Sequence, residues 1–288
     1  MAKPIVVIGA TGQLGTDLMR LWPKDSEAEI LGLNHGDIEV TDYDVVHRKL
    51  SLMQPRLVIN TAAYHKVDAL EDNPEKAFAV NAIGPRNLSF SCRELDAIFI
   101  HLSTDYVFSG NKRKPYRESD PVDPVNVYGI SKSAGEMFVR SIWRKHFIVR
   151  CSGLYGAAGP SGKGTNFVEL MLLLAQQGKP IKVVDDQVLT PTPTSMLAKQ
   201  IAILSGTAGY GTYHATCRGS CSWYEFAREI FEFSGLKPDL KTQTTAQSGA
   251  RANRPPYSVL ENENLKKLGI DSMPSWETGL KEYLDAKG

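Results

Sequence analysis

Cysteine is scarce. Four residues in a chain of 288 are too few for a disulfide scaffold. Charge of one sign is also missing: 33 Lys and Arg against 32 Asp and Glu leave a net +1. Bulk electrostatics therefore draws the chain neither to nucleic acid nor to an anionic membrane, and neither is expected as a partner. No apolar run approaches the roughly 18 residues that span a bilayer. Met1-Ala2-Lys3-Pro4 leads straight into an apolar strand, without the h-region and cleavage site of a signal peptide. Internal repeats and low-complexity tracts are absent too. With 42% hydrophobic and 23% charged residues, disorder is excluded and a soluble, cytosolic globular protein is expected.

What is present is a rhythm. Ile5-Val6-Val7-Ile8 is a continuous β-branched run, the mark of a strand buried on both faces. Strands at 30–33, 57–60, 97–102 and 147–150 follow, with helices at 43–53, 74–95 and 127–143 between them. Short strands and helices in alternation mean a parallel sheet with right-handed crossovers, a doubly wound α/β (Rossmann) fold. Past residue 150 the pattern loosens. Gly156 to Gly164 reads as a loop, 167–177, 196–204 and 223–233 as helices, 181–184 and 213–215 as strands, and Thr242 to Tyr257 as a long loop. The expected division is a dinucleotide-binding domain over 1–155, with a return segment at about 190–215. The remainder, 156–288, would be a smaller mixed α/β domain, mainly for substrate.

Three motifs carry chemistry. Gly9-x-x-Gly12-x-x-Gly15 lies between the first strand and the first helix. There glycines permit a tight turn, and a pyrophosphate can approach the helix amino end. The competing reading is a purely structural turn. Tyr128-Gly129-Ile130-Ser131-Lys132 places hydroxyl and ammonium one helical turn apart on one face. A cation beside a phenol stabilises the phenolate and lowers its pKa, which makes Tyr128 a usable acid or base. Alone, the pair would be an exposed helix couple; beside a nucleotide loop it is a catalytic candidate. Ser103-Thr104-Asp105-Tyr106-Val107-Phe108 follows a strand at its carboxyl end, where ligands bind in open α/β sheets. Its bland alternative is a turn closed by Ser and Asp side chains.

These segments, with Asn60-Thr61-Ala62-Ala63-Tyr64 and Val184-Asp185-Asp186-Gln187, resemble the extended short-chain dehydrogenase/reductases. Within them the chain is most similar to the dTDP-4-dehydrorhamnose reductase family, and the similarity runs on through Gly211-Thr212-Tyr213-His214, Ser222 to Ala227, Arg254-Pro255 and Pro274-Ser275-Trp276. The resemblance implies that Gly9, Thr11, Gly12, Gln13 and Leu14 hold the cofactor pyrophosphate. Asp37 and Ile38 would meet the adenine, and Ala62, Ala63, Tyr64 and His65 the cofactor's middle, with Ser103 beside them. Thr104, Tyr128 and Lys132 match a catalytic triad, Lys132 also binding the cofactor ribose, while Thr104 and Asp105 touch the sugar. Two departures stand out. The family usually reads Arg-Thr-Ser-Trp-x-Tyr-Gly where this chain has Arg150-Cys151-Ser152-Gly153-Leu154-Tyr155-Gly156, so the substrate-side Trp is Gly153. His65 stands where Thr is common.

The function this implies is reduction of the C4 keto group of a nucleotide-linked 6-deoxy-4-keto sugar. Tyr128 would protonate the alkoxide, and Thr104 would hydrogen-bond the carbonyl oxygen. Arg254 is a candidate for the substrate diphosphate, because guanidinium forks match phosphate oxygens; a surface salt bridge is its alternative. The acidic residue that holds the ribose 2′-hydroxyl of NAD is missing after the second strand, where Asn34 and His35 stand. NADPH is therefore expected to be accepted, with NADH tolerated. If Gly153 merely deletes an aromatic, sugar discrimination should relax unless the loop from Ala157 to Gly164 refills the space. Two rivals remain: a reductase of a different nucleotide-sugar, and a cofactor-binding regulatory subunit resembling methionine adenosyltransferase β. His214, Cys217 and Cys221 are weak metal candidates without a fourth ligand, so no metal is expected. The assembly is open, a homodimer among the options.

Overall fold

The computed structural model describes residues 2–22, 29–158 and 165–287. The loop expected over Gly156 to Gly164 thus lies largely outside the described residues.

Five strands, β1 (Ile5–Ile8), β2 (Ile30–Leu33), β3 (Leu57–Asn60), β4 (Ile98–Thr104) and β5 (His146–Cys151), form one sheet with the strand Gly211–His214. From one edge the order is Gly211–His214, β5, β4, β3, β1, β2, and every pairing is parallel. Helices cover both faces, so β1 is buried along its whole length. Successive side chains of a strand point to opposite faces. Accordingly Ile5 and Val7 join the cluster built by α1 (Gln13–Leu21) and the later helix Thr194–Ser205. Val6 and Ile8 join the cluster of α2 (Tyr43–Met53) and the helices that follow β3 and β4. The chain returns late in sequence to finish the sheet with Gly211–His214 beside β5.

Two elements differ from the sequence expectation. The stretch 74–95 is not one helix. After a short α3 (Val67–Leu70), it divides into α4 (Pro74–Phe78), a π turn at Ala79–Ile83, and α5 (Gly84–Glu94). The π turn leaves Asn81 pointing inward and fully buried. Thr242 to Tyr257 is not all loop either: Leu240–Gln243 pairs in parallel with Ile181–Val184. That pairing needs a partner strand about sixty residues away, which no local pattern announces.

The remaining residues build a second apolar cluster. Helices α7 (Phe167–Gln176) and Trp223–Phe233 pack with Tyr155, Met273, Trp276 and Leu280. Ser222 caps the helix Trp223–Phe233 with a reciprocal Glu225 bond, a capping box that holds the amino end of this helix, and with it Trp223, in one place. Helix α6 (Val127–Ile142) starts at Asn126, whose Oδ1 accepts from Gly129 N at 2.8 Å and whose Nδ2 donates to Asn253 O. It is anchored beneath the site by a buried pair: Arg150 on β5 holds Glu136 through Nε (2.8 Å) and Nη2 (2.7 Å).

Candidate active site

A cleft of about 940 Å³ runs across the carboxyl ends of β1 to β5, where the strand order reverses and ligands bind in such sheets. At one end is the glycine turn. Gly9 has φ +81°, and a Cβ there would lie 2.7 Å from Thr61 Oγ1 and 2.9 Å from Ala62 N, so only glycine fits. Gly12 caps α1 without any side-chain hydrogen bond. The first amides of the helix therefore face the cleft with no carboxylate or hydroxyl of their own to satisfy them. Gln13 Oε1 is buried without a protein partner, an acceptor that a ligand hydroxyl would satisfy. A bound dinucleotide fits these features. Thr11, Leu14, Ile38, Ala62, Ala63, Tyr64, His65 and Ser103 also line the cleft.

Asp37 does not line it. Its Oδ2 accepts from Asn34 N at 2.9 Å and closes the turn after β2; the wall there is made by Asn34, His35 and Ile38. Asn81, fixed by the π turn, clamps the next segment. Its Oδ1 accepts from Tyr64 N, and its Nδ2 donates to Tyr64 O and to Ser131 Oγ. The loop 62–65 is thus tied to α6 one residue from Lys132. Inserted π turns recur at functional sites, but sequence gives no direct sign of one.

At the far end, Thr104, Asp105, Tyr128 and Lys132 meet. Thr104 Oγ1 donates to Asp105 Oδ1 at 2.9 Å and accepts from Tyr106 N at 3.2 Å, and the Tyr128 phenol lines the cleft beside it. Asp105 also accepts from Ser152 Oγ at 2.8 Å and from Ser258. Burial pushes its carboxyl up, and the three hydroxyl donors pull the other way. Ser152 and Ser258 had no signal in sequence. The Ser103 hydroxyl is not directed to a ligand: it donates to Glu136 Oε1 at 2.6 Å.

The expected lowering of the Tyr128 pKa by Lys132 is not what this arrangement produces. Burial pushes the phenol up, and Lys132 is not among the groups that shift it. Lys132 Nζ instead donates to Leu102 O at 2.5 Å and sits 3.4 Å from His101 Nε2. Spacing one turn apart put the two residues on one face of the helix, but β4 supplied a better acceptor for the Lys132 Nζ donors than a phenol does.

Gly153 lines the cleft through its backbone, yet the picture of a simply deleted aromatic fails. Its φ is +56°, and a Cβ would meet Leu189 Cδ1 at 2.8 Å and Pro191 Cα at 3.0 Å. A side chain there would aim into protein. Aromatic surface comes instead from Phe167 and Trp223, whose rings lie 4.6 Å apart on the cleft wall beside Gln187, Val188 and Leu189. Arg254 does not line the cleft. It forms a two-pronged pair with Asp68 at 2.8 and 3.2 Å, and this holds the Asp68 carboxyl down at about 2. His214 lies apart from Cys217 and Cys221: its Nδ1 meets Tyr116 O and Glu261 O, while the two cysteines sit in the second apolar cluster.

A glycine turn at an uncapped helix end, and a tyrosine and lysine one turn apart across the same cleft, define an extended short-chain dehydrogenase/reductase. The sequence profile described as the RmlD substrate binding domain matches residues 2–288, and the chain belongs to that family. It is similar to the dTDP-4-dehydrorhamnose reductase of Streptomyces griseus, at 40% identity over 98% of this chain and 93% of that one. It is also similar to the spore coat polysaccharide biosynthesis protein SpsK of Bacillus subtilis, at 38% identity over 98% and 97%. Among solved structures, the dTDP-4-dehydrorhamnose reductase of Bacillus anthracis in complex with NADP superposes with a TM-score of 0.94. That pair is 38% identical, covering 99% of this chain and 100% of that one. Among the described residues no helix is long and apolar enough to cross a membrane.

Proposed function

We propose that this chain is an NADPH-dependent reductase of a nucleotide-linked 6-deoxy-4-keto sugar, with dTDP-4-dehydrorhamnose as substrate and dTDP-L-rhamnose as product. The observation that carries the reading is the convergence of Thr104, Asp105, Tyr128 and Lys132 at the end of a cleft whose other end is the glycine turn. When bound, NADPH supplies the hydride. The glycine turn and the α1 amino end would hold its diphosphate. Asn34 and His35 would meet its 2′-phosphate, with no carboxylate at the end of β2 to repel it. Lys132 would reach the nicotinamide ribose.

Tyr128 acts as a general acid. A phenol pushed up by burial stays protonated at neutral pH, and a developing alkoxide is a far stronger base, so the proton moves from Tyr128 Oη to the sugar oxygen. Thr104 orients the carbonyl oxygen beside the same hydroxyl, and the two polarise it together. Asp105, held by Ser152 and Ser258, presents its remaining acceptor capacity to sugar hydroxyls. Phe167 and Trp223 supply the apolar wall that the family Trp would have supplied. In this reading residues 1–155 with 190–215 serve the cofactor, and the remainder of 156–288 mainly serves the sugar.

A cofactor-oxidation assay with a panel of nucleotide keto-sugars tests the proposal, using NADPH and NADH in parallel. Oxidation of NADPH with dTDP-4-dehydrorhamnose is the expected result, with NADH slower. Turnover only with another sugar would replace the substrate and keep the reductase. Cofactor binding without turnover on any sugar would leave the regulatory-subunit reading.

A further inference from the structure

Lys132 is only 1% exposed, and no carboxylate hydrogen-bonds its Nζ among the described residues, although the charge of Glu136 favours the ammonium from farther off. Glu136, one turn along α6, has both oxygens engaged: Oε1 accepts from Ser103 and Arg150 Nε, and Oε2 from Arg150 Nη2. From β5 the Cys151 thiol faces Lys132, pushed up to about 12 by burial and therefore neutral. Tyr128 is a neutral phenol. What Lys132 Nζ meets on β4 is the Leu102 carbonyl and His101 Nε2.

The tautomer of His101 follows from its other side. Ala62 N donates to Asn60 Oδ1 at 3.1 Å, which fixes that amide so that Nδ2 faces His101 Nδ1 at 3.2 Å. An amide nitrogen only donates, so Nδ1 must accept, and a neutral imidazole then carries its proton on Nε2. His101 is fully buried. Burial holds it well below the usual histidine range, so the neutral form is the one present. Its Nε2–H is therefore aimed at Lys132 Nζ. An ammonium offers three donors and no acceptor, whereas an amine offers a lone pair. Donors and acceptors match along Ala62, Asn60, His101, Lys132 and Leu102 only when Lys132 is the amine.

We propose that His101, locked by Asn60 as the Nε2–H tautomer, is a positioning residue that favours the neutral amine of Lys132 in the cofactor-free protein, so that cofactor binding takes up a proton from solvent at Lys132. The inference rests on the cleft being an NADPH site. Burial, opposed by the charge of Glu136, brings Lys132 down to about 8, where amine and ammonium are both populated. Ribose oxygens and phosphate charge near Nζ favour the ammonium, the form that binds the ribose.

Two measurements test this. In the free protein with ¹⁵N-labelled histidine, long-range ¹H–¹⁵N spectra should show His101 as the neutral Nε2–H tautomer. An Nδ1–H tautomer or an imidazolium at neutral pH overturns the proposal. Calorimetric titration of NADPH near the Lys132 pKa of about 8, in two buffers of different ionisation enthalpy, should show a net proton taken up on binding. Asn60→Asp keeps the acceptor for Ala62 N but accepts from Nδ1–H, turning a lone pair toward Lys132. Uptake should then fall toward zero, and His101→Leu, which removes the N–H, should lower it as well. Absent uptake in the wild type, or equal uptake in a folded Asn60→Asp protein, refutes the coupling. If NADPH gives no binding heat at all, the cofactor reading is what fails, and the tautomer spectrum still decides the role of His101.

Discussion

Replacing Gly153 by alanine tests whether this glycine is a lost aromatic or a backbone requirement. The residue has φ +56°, a region that costs an L-residue about 1–2 kcal/mol. The new Cβ would sit 2.8 Å from Leu189 Cδ1, 3.0 Å from Pro191 Cα and 3.1 Å from Thr190 O. The leucine methyl can rotate away, but the other two atoms are backbone. Moving them disturbs the bond from Thr192 N to Gly153 O at 3.1 Å and the short pairing of Leu154–Tyr155 with Thr192–Pro193. Overpacking of this kind costs about 1–3 kcal/mol, so the sum is about 2–5 kcal/mol, or roughly 3–8 °C in Tm for a chain of this size. Because Ser152 is the neighbour that donates to Asp105, KM for the sugar should rise in the same variant. Gly153→Trp should be worse on both counts, not tighter in binding. Thermal melts and steady-state kinetics of the two variants read the outcome. A Gly153→Ala protein that melts with the wild type and keeps its KM would refute the argument, as would a Gly153→Trp protein that binds substrate more tightly.

Tyr128→Phe should keep NADPH affinity and lose turnover by about 10²-fold or more, the scale of general acid catalysis; wild-type turnover in that variant rules the mechanism out. Trp223→Ala removes a ring from the cleft wall and should weaken nucleotide-sugar binding by about 0.5–1.5 kcal/mol beyond its lost area, visible as a raised KM with NADPH binding unchanged. Asp68 titrates at about 2 instead of 3.8 because Arg254 grips it. The sign is that of a depressed carboxyl: its contribution to stability is complete above 3.8 and is lost as pH falls through about 2. Asp68→Asn should therefore lower stability at neutral pH and reduce its fall over that acid range, and acid unfolding curves of the two proteins make the comparison.

Local chemistry determined much of this protein. Ile5 to Ile8 could only be a strand buried on both faces, the glycines at 9, 12 and 15 had to turn before α1, and the periodicity of 127–143 set Tyr128 and Lys132 on one helical face. Resemblance extended this to Thr104 and to the loop 62–65. Each of these signals is contained in a short stretch of chain, where backbone freedom and side-chain period are local properties. What tertiary structure decided were the partners. Asp37 closes its own exposed turn, because Asn34 N lies within hydrogen-bond reach of its carboxylate. Arg254 met Asp68 because α3 brings a carboxylate to the segment 251–254. Ser152 and Ser258, far apart in sequence, converge on Asp105, and Asn81 reaches Tyr64 only through the π turn. Most consequential, Lys132 was read as the neighbour of Tyr128 because four residues separate them. Once α6 packs on β4 it lies against Leu102 and His101 instead. Sequence spacing fixes which face a side chain takes, but a buried amino group goes to the acceptor that the packed sheet puts within reach.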